Sequence, residues 1–129
     1  MPVAGGVAPL RVSIGEDDVL LREGIARILS GAGYHVLTAD GGRQALELVA
    51  RHDGPVDLLL SDVMMPGMLG KELAQRLVDA RPGTPVLYMS GYARPVLASQ
   101  GTLEEGVALL AKPFTADGLL SAVRERLDG

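Results

Sequence analysis

Val56-Asp57-Leu58-Leu59-Leu60-Ser61-Asp62-Val63-Met64-Met65-Pro66-Gly67 is the stretch that decides how this chain folds. From Val56 to Leu60 the run is almost continuously apolar, as expected of a strand covered on both faces; a strand with one wet face would alternate. The run stops at Ser61-Asp62. Pro66 and Gly67 together break both regular patterns, so Met64 to Gly67 is expected to be a loop. A strand covered on both faces needs helices above and below it, and the flanking segments supply them.

Upstream, Leu10 to Gly15 reads as a first strand. Leu20, Leu21, Ile25, Ile28 and Leu29 then recur at helical spacing until Gly31-Ala32-Gly33 ends the helix. Tyr34 to Thr38 is the second strand candidate, and Gly41 to Arg51 a helix whose apolar side is Ala45, Leu46, Leu48 and Val49. Downstream, a third helix runs from about Leu69 to Ala80 and is closed by Arg81-Pro82-Gly83, and Pro85 to Met89 is a fourth strand ending at Ser90-Gly91. A short, locally weak helix is expected between Arg94 and Gln100, because Gly101 closes it after two turns at most. Val107 to Ala111 is the fifth strand, and Thr115 caps a last helix that turns Leu119, Leu120, Val123 and Leu127 inward. Strands alternating with helices in this way predict an α/β fold with one parallel sheet.

The 129 residues are enough for one domain and too few for two. Residues 1–9 read as a loose leader without the basic start and long apolar run of a signal peptide, and residues 10–128 as the domain. Without cysteine there is no disulfide framework, zinc-thiolate site or thiol nucleophile, which is compatible with the expected cytoplasmic location. No apolar stretch approaches the roughly 20 residues of a membrane span, so membrane insertion is not expected. A net charge of -4 argues against direct nucleic-acid binding, which needs a basic face.

In a sheet wound by right-handed crossovers, ligands bind beyond the carboxyl ends of the strands. The polar groups at those ends are Glu16, Asp17 and Asp18 after the first strand, Asp62 after the third, Ser90 after the fourth and Lys112 after the fifth. Taken singly, each has a plain structural reading: a helix-capping acid, a turn former or a solvated lysine. Falling together at one sheet edge, they suggest a site. Carboxylates gathered in one crevice repel each other unless they share a proton or a hard cation, and Mg²⁺ suits a few carboxylates plus water. A carboxylate such as Asp62 can attack phosphorus to give an acyl phosphate, with Lys112 and Ser90 as ligands for the phosphoryl oxygens. His35 and His52 lie off that edge and read as surface or helix-end residues, and Met64, Met65 and Met68 as loop and core packing.

Four stretches together resemble the receiver domain of two-component response regulators: Val12 to Asp18, Leu59 to Met68, Val86-Leu87-Tyr88-Met89-Ser90-Gly91-Tyr92 and Lys112-Pro113-Phe114. The resemblance covers about Leu10 to Leu127. It implies a flavodoxin-like three-layer sandwich with a five-stranded parallel sheet of order 2-1-3-4-5 and five helices. It further implies that Asp62 is the phosphoacceptor, that Glu16 and Asp17 hold Mg²⁺ with Asp62 and the Met64 carbonyl, that Ser90 is the switch hydroxyl and that Lys112 pairs with the phosphate. Asp18 then starts the first helix, Asp17 is the direct metal ligand, and Pro113 supports the lysine.

The implied partners are a histidine kinase or histidine phosphotransfer protein, with a downstream protein or a second copy on the face of the fourth helix, fifth strand and fifth helix. The C-terminal half is most similar to receivers attached to hybrid sensor histidine kinases. One position departs from the family. Three residues before the lysine, where Tyr or Phe is usual, stands Leu109, and Tyr92 is the nearest aromatic that could substitute for it. The expected function is therefore a phosphorylated signalling domain and not an enzyme with turnover. An aspartyl-nucleophile phosphatase would need a second acid two residues after Asp62, where Met64 stands. A receiver-like interaction module that takes no phosphoryl group is the other alternative.

Overall fold

In the computed structural model, which describes residues 11–52, 54–92, 94–101 and 107–128, strand β3 (Leu58–Asp62) is buried along its whole length. Its side chains alternate between two cores: Leu58 and Leu60 join one cluster and Leu59 the other, and this is why the run could be apolar throughout. β3 lies at the centre of a parallel sheet. β1 (Arg11–Gly15) pairs with it on one side and with β2 (His35–Ala39) on the other. Beyond β3 come β6 (Val86–Ser90) and β7 (Leu109–Ala111). The order β2-β1-β3-β6-β7 is the expected 2-1-3-4-5 once the five sheet strands are counted alone.

One face of the sheet is covered by α1 (Val19–Gly31) and α5 (Ala116–Asp128), through Ile25, Leu29, Leu119 and Val123. The other is covered by α2 (Gly42–Arg51), α3 (Gly70–Ala80) and the six-residue α4 (Arg94–Ser99), through Ala45, Val49, Leu73, Leu77 and Leu97. The helix ends follow local chemistry. The Asp18 carboxylate accepts from the Leu21 amide at 3.1 Å and caps α1, and Thr115 Oγ1 accepts from the Gly118 amide at 3.0 Å at the start of α5. At the far end of α1, Gly33 has φ +97°, while the Tyr34 amide donates to the Leu29 carbonyl and the Gly33 amide to that of Ser30. That pairing defines a Schellman stop.

The structure corrects one expectation. Met64 to Gly67 is not an irregular loop: β4 (Met64–Met65) and β5 (Met68–Leu69) form a small antiparallel ladder pairing Met64 with Leu69 and Met65 with Met68. Pro66 and Gly67 make its tip, with Gly67 at φ +81°, the left-handed backbone for which glycine is the favoured residue in a turn. The turn residues were legible; the ladder they close was not. The element ends otherwise fall within one or two residues of expectation: β3 and β7 both start two residues late, and β3 runs two residues past Leu60 to end on Asp62. The leader assigned to residues 1–9 lies outside the described residues.

The hairpin returns the chain so that α3 begins directly behind the end of β3. The Gly70 amide donates to the Val63 carbonyl at 2.8 Å, and a Cβ on Gly70 would overlap the Asp62 carbonyl oxygen and come within 3.2 Å of the Val63 Cα. At Gly42, by contrast, an added Cβ would meet only the flexible Met68 side chain. Gly70→Ala should therefore destabilise the fold by about 2 kcal/mol or more, and Gly42→Ala by at least about 1 kcal/mol less. Urea unfolding of the two variants against the parent checks this, and equal losses would refute the backbone clash.

Candidate functional site

Four of the five sheet strands deliver a polar group to the same edge. β1 ends at Gly15, and the chain continues in register for one more residue, the Glu16 amide donating to the Ala39 carbonyl at 3.1 Å. Asp62 is the last residue of β3, Ser90 the last of β6, and Lys112 follows β7, its amide donating to the Ser90 carbonyl at 2.8 Å. Parallel strands of this kind point their carboxyl ends the same way, so residues far apart in sequence meet.

The Lys112 ammonium donates to Glu16 Oε1 at 2.7 Å and to Asp62 Oδ1 at 2.9 Å. Both acids are buried, Glu16 at 1% exposure and Asp62 at 8%, whereas Asp17 is exposed at the mouth. Carboxylate oxygens of Glu16, Asp17 and Asp62 lie within 4.8 Å of one another. Asp18 stands apart as the helix cap, its amide donating to Glu16 Oε2 at 3.1 Å.

The ionisation of the cluster follows from this geometry. Burial raises the pKa of Asp62, the Glu16 carboxylate raises it further, and the Lys112 bond offsets only part, so that it is pushed up to about 7. Burial also works against ionisation of Glu16. There the Lys112 ammonium, the Asp18 amide and a hydrogen bond from Asp62 outweigh it and hold the pKa below the usual carboxylate range. Burial likewise acts to lower Lys112, but its two carboxylate partners prevail and raise it. Near neutral pH the three groups thus form one hydrogen-bonded unit: an ionised Glu16, a protonated Lys112 and an Asp62 poised between its two states.

Ser90 is buried beside this unit, and its Oγ accepts from the Tyr92 amide at 2.9 Å. Tyr92 itself is 59% exposed, so its ring does not occupy the interior place that an aromatic on the fifth strand would take. Leu109 sits half-buried on β7 opposite Tyr88, packed on the core that holds Leu97 of α4. Met64 is exposed on β4, and Pro113 follows Lys112 through a cis peptide bond. His35 and His52 lie at the other end of the sheet, at the start of β2 and the end of α2, with their rings stacked 6.3 Å apart.

Two supports of the site escape a reading of the sequence. Gly70, described above, lets α3 approach the Asp62 backbone, and Ser61 Oγ donates to the Asp62 carbonyl at 2.9 Å. The Gly after the Met-Pro-Gly turn was a visible signal for the first. A buried serine within an apolar strand was the signal for the second.

A family model described as the response regulator receiver domain matches residues 12–124. The response regulator receiver protein CpdR of Brucella abortus is 32% identical over 117 residues, which cover 91% of this chain and 96% of that protein. The sensor kinase CckA of the same organism is 35% identical over 113 residues, 88% of this chain but only 12% of the kinase. Among solved structures, the receiver domain of the hybrid histidine kinase CckA superposes with a TM-score of 0.76 at 35% identity, covering 91% of this chain and 98% of that one. The chemotaxis protein CheY4 of Vibrio cholerae gives 0.79 at 30% identity, with 92% and 99% covered. No helix among the described residues is long and apolar enough to cross a membrane. A five-stranded parallel sheet in this order, with carboxylates and a lysine meeting at its carboxyl edge, together with these matches, makes the chain a member of the response regulator receiver domain family, the phosphoacceptor modules of two-component signalling.

Proposed function

We propose that Asp62 is the phosphoacceptor of this receiver, taking a phosphoryl group from a histidine kinase or a histidine phosphotransfer protein. The observation that carries the reading is the convergence of the Glu16, Asp17 and Asp62 oxygens within 4.8 Å, with the Lys112 ammonium bonded to two of the three acids. In the reaction a carboxylate oxygen of Asp62 bonds to phosphorus, the bond from phosphorus to the donor imidazole nitrogen breaks, and the nitrogen keeps the electron pair. Only ionised Asp62 offers the attacking lone pair, so loss of its proton precedes the step. Lys112 can then turn its ammonium to the phosphoryl oxygens, and the Ser90 hydroxyl can donate to them while still accepting from the Tyr92 amide.

The donor set fits a hard divalent cation: three carboxylates close together, one of them exposed to solvent. Glu16, Asp17 and Asp62, with the Met64 backbone carbonyl, would hold Mg²⁺, which when bound would neutralise charge on the transferring group. The domain taken as residues 10–128 would act as a signalling element in the cytoplasm, without turnover of its own beyond slow loss of its phosphoryl group. Met64 stands where a phosphatase of this nucleophile class would carry its acid. The face formed by α4, β7 and α5 would meet a downstream protein or a second copy. Leu109 favours a second reading, an interaction module that works without phosphorylation, since the usual aromatic of the switch is absent.

Three outcomes are expected. An acyl-phosphate donor with Mg²⁺ should label the chain, and Asp62→Asn should abolish incorporation; label surviving in the variant would refute the assignment. Met64 and Tyr92 are exposed beside the site and position water poorly, so the phosphorylated form should decay slowly. Met64→Asn should shorten its lifetime by about tenfold, less than the roughly 10²–10⁴-fold of a group that transfers a proton, because an amide here would only orient water. The third concerns pH. The folded pKa of Asp62, about 7, lies above its unfolded value, so the native state binds an extra proton between about pH 4 and pH 7 and loses stability as pH rises through that window. Without metal, Asp62→Asn should melt higher than the parent at about pH 8, with the gap closing toward about pH 5. A gap that does not change with pH would show that the carboxylate charge is not its cause.

A further inference from the structure

Glu16 is bonded at every polar group it carries. Its amide donates to Ala39 O at 3.1 Å, and its carboxylate oxygens accept from Lys112 Nζ at 2.7 Å and from the Asp18 amide at 3.1 Å. Its backbone carbonyl accepts from Arg22 Nη1 at 2.8 Å. Arg22 also closes the first turn of α1 with its own amide, which donates to the Asp18 carbonyl at 2.8 Å. One residue therefore grips the Glu16-Asp17-Asp18 turn from both ends, the backbone of Asp18 and the carbonyl of Glu16. Between the gripped ends stands Asp17, exposed at the mouth of the acidic cluster.

An exposed carboxylate can be a good Mg²⁺ ligand only if something else fixes its direction. Mg²⁺ tolerates little departure from octahedral geometry at about 2.0–2.1 Å. Groups that hold a ligand in place typically change metal affinity by about 10–100-fold. Asp17 lacks the burial that holds Glu16 and Asp62, so its aim depends on the turn that carries it. We propose that Arg22 is the positioning residue of the cation site: its guanidinium locks the Glu16 carbonyl, fixes the turn, and so presents the Asp17 carboxylate to Mg²⁺. The proposal rests on the reading that Glu16, Asp17 and Asp62 hold that ion.

It has a sign that a simple charge effect does not share. A guanidinium bonded to the Glu16 carbonyl adds positive charge on the turn that carries Asp17, so removing its charge alone would tighten Mg²⁺ binding if it acted only by repulsion. Removing a clamp weakens it. Calorimetric titration of the intact chain with Mg²⁺ at fixed ionic strength separates the two. Arg22→Leu should raise the Mg²⁺ dissociation constant by about tenfold. Arg22→Lys, which keeps the charge but not the planar fork, should fall between the parent and Arg22→Leu. Arg27→Leu, removing an exposed charge from the same helix, should stay within about twofold.

In acyl-phosphate labelling, the half-saturating Mg²⁺ concentration should rise with the dissociation constant while the rate at saturating Mg²⁺ is held, a split that a general folding defect would not produce. Unchanged or tighter binding by Arg22→Leu overturns the proposal. If that variant does not fold, Arg22→Lys binding as tightly as the parent overturns it equally. A parent chain that binds no Mg²⁺ overturns the cation reading and this proposal with it, whereas a parent that binds beside an unaltered Arg22→Leu overturns the proposal alone.

Discussion

Two buried carboxylates share one ammonium at the carboxyl edge of the sheet, and much of the rest is arranged around that imbalance. Glu16 and Asp62 could not both be buried and ionised without a counter-charge, because desolvation and mutual repulsion act against them together. Lys112 answers for one of them. The remainder appears as the raised pKa of Asp62, which keeps its proton until about pH 7. With Asp17 included, three carboxylates formally face one ammonium, leaving two negative charges. A divalent cation would match that remainder, which is the charge argument for the proposed Mg²⁺ site.

The imbalance is held by topology. Lys112 lies 96 residues from Glu16 and 50 from Asp62 along the chain, yet bonds to both. The sheet makes this possible by placing β3 between β1 and β6, with β7 next outward. Because all five strands run the same way, their ends accumulate polar groups on one edge while the strands themselves stay apolar. The two cores on either face then resist any rearrangement that would let the carboxylates move apart, since Leu58, Leu59 and Leu60 lock β3 into both layers at once. The site is the polar rim of a doubly covered sheet, and its strength as a scaffold comes from apolar packing several residues away.

The strands, the helices and the four convergent groups were legible because each is a local pattern: an apolar run, a helical period, a polar residue at a strand end; the strand order came only with the family resemblance. Asp18 and Thr115 were legible as caps for the same reason, each being the residue type its position needs. The β4–β5 ladder was hidden because two-residue strands carry no periodicity, and only the Pro66-Gly67 turn announced that something closed there. Gly70, Ser61 and Arg22 were hidden for a different reason. Their roles consist of bonds or close approaches to backbone atoms of other residues, and a sequence shows side chains without showing where main-chain carbonyls come to lie. The stacking of His35 on His52 belongs to the same class, although their exclusion from the site edge needed only the strand ends.

The absence of an aromatic at Leu109 shifts attention to the loop after β6. Ser90 Oγ accepts from the Tyr92 amide, so the hydroxyl and the backbone two residues later are tied together. The hydroxyl proton is not consumed by that bond, and it can be given to a new acceptor at the site while the amide bond is kept. If Ser90 turns toward Asp62, the Tyr92 backbone is drawn after it or loses its partner, and α4 begins only two residues farther on, at Arg94. A helix of six residues has little internal stability and depends on its packing, here chiefly Leu97 against the core that also holds Tyr88 and Leu109. In the proposed switch, a movement of Ser90 would reach the α4 face through main chain and a short helix, without a ring swinging on β7. On that proposal, a leucine at position 109 would remove the aromatic route and leave the main-chain one available.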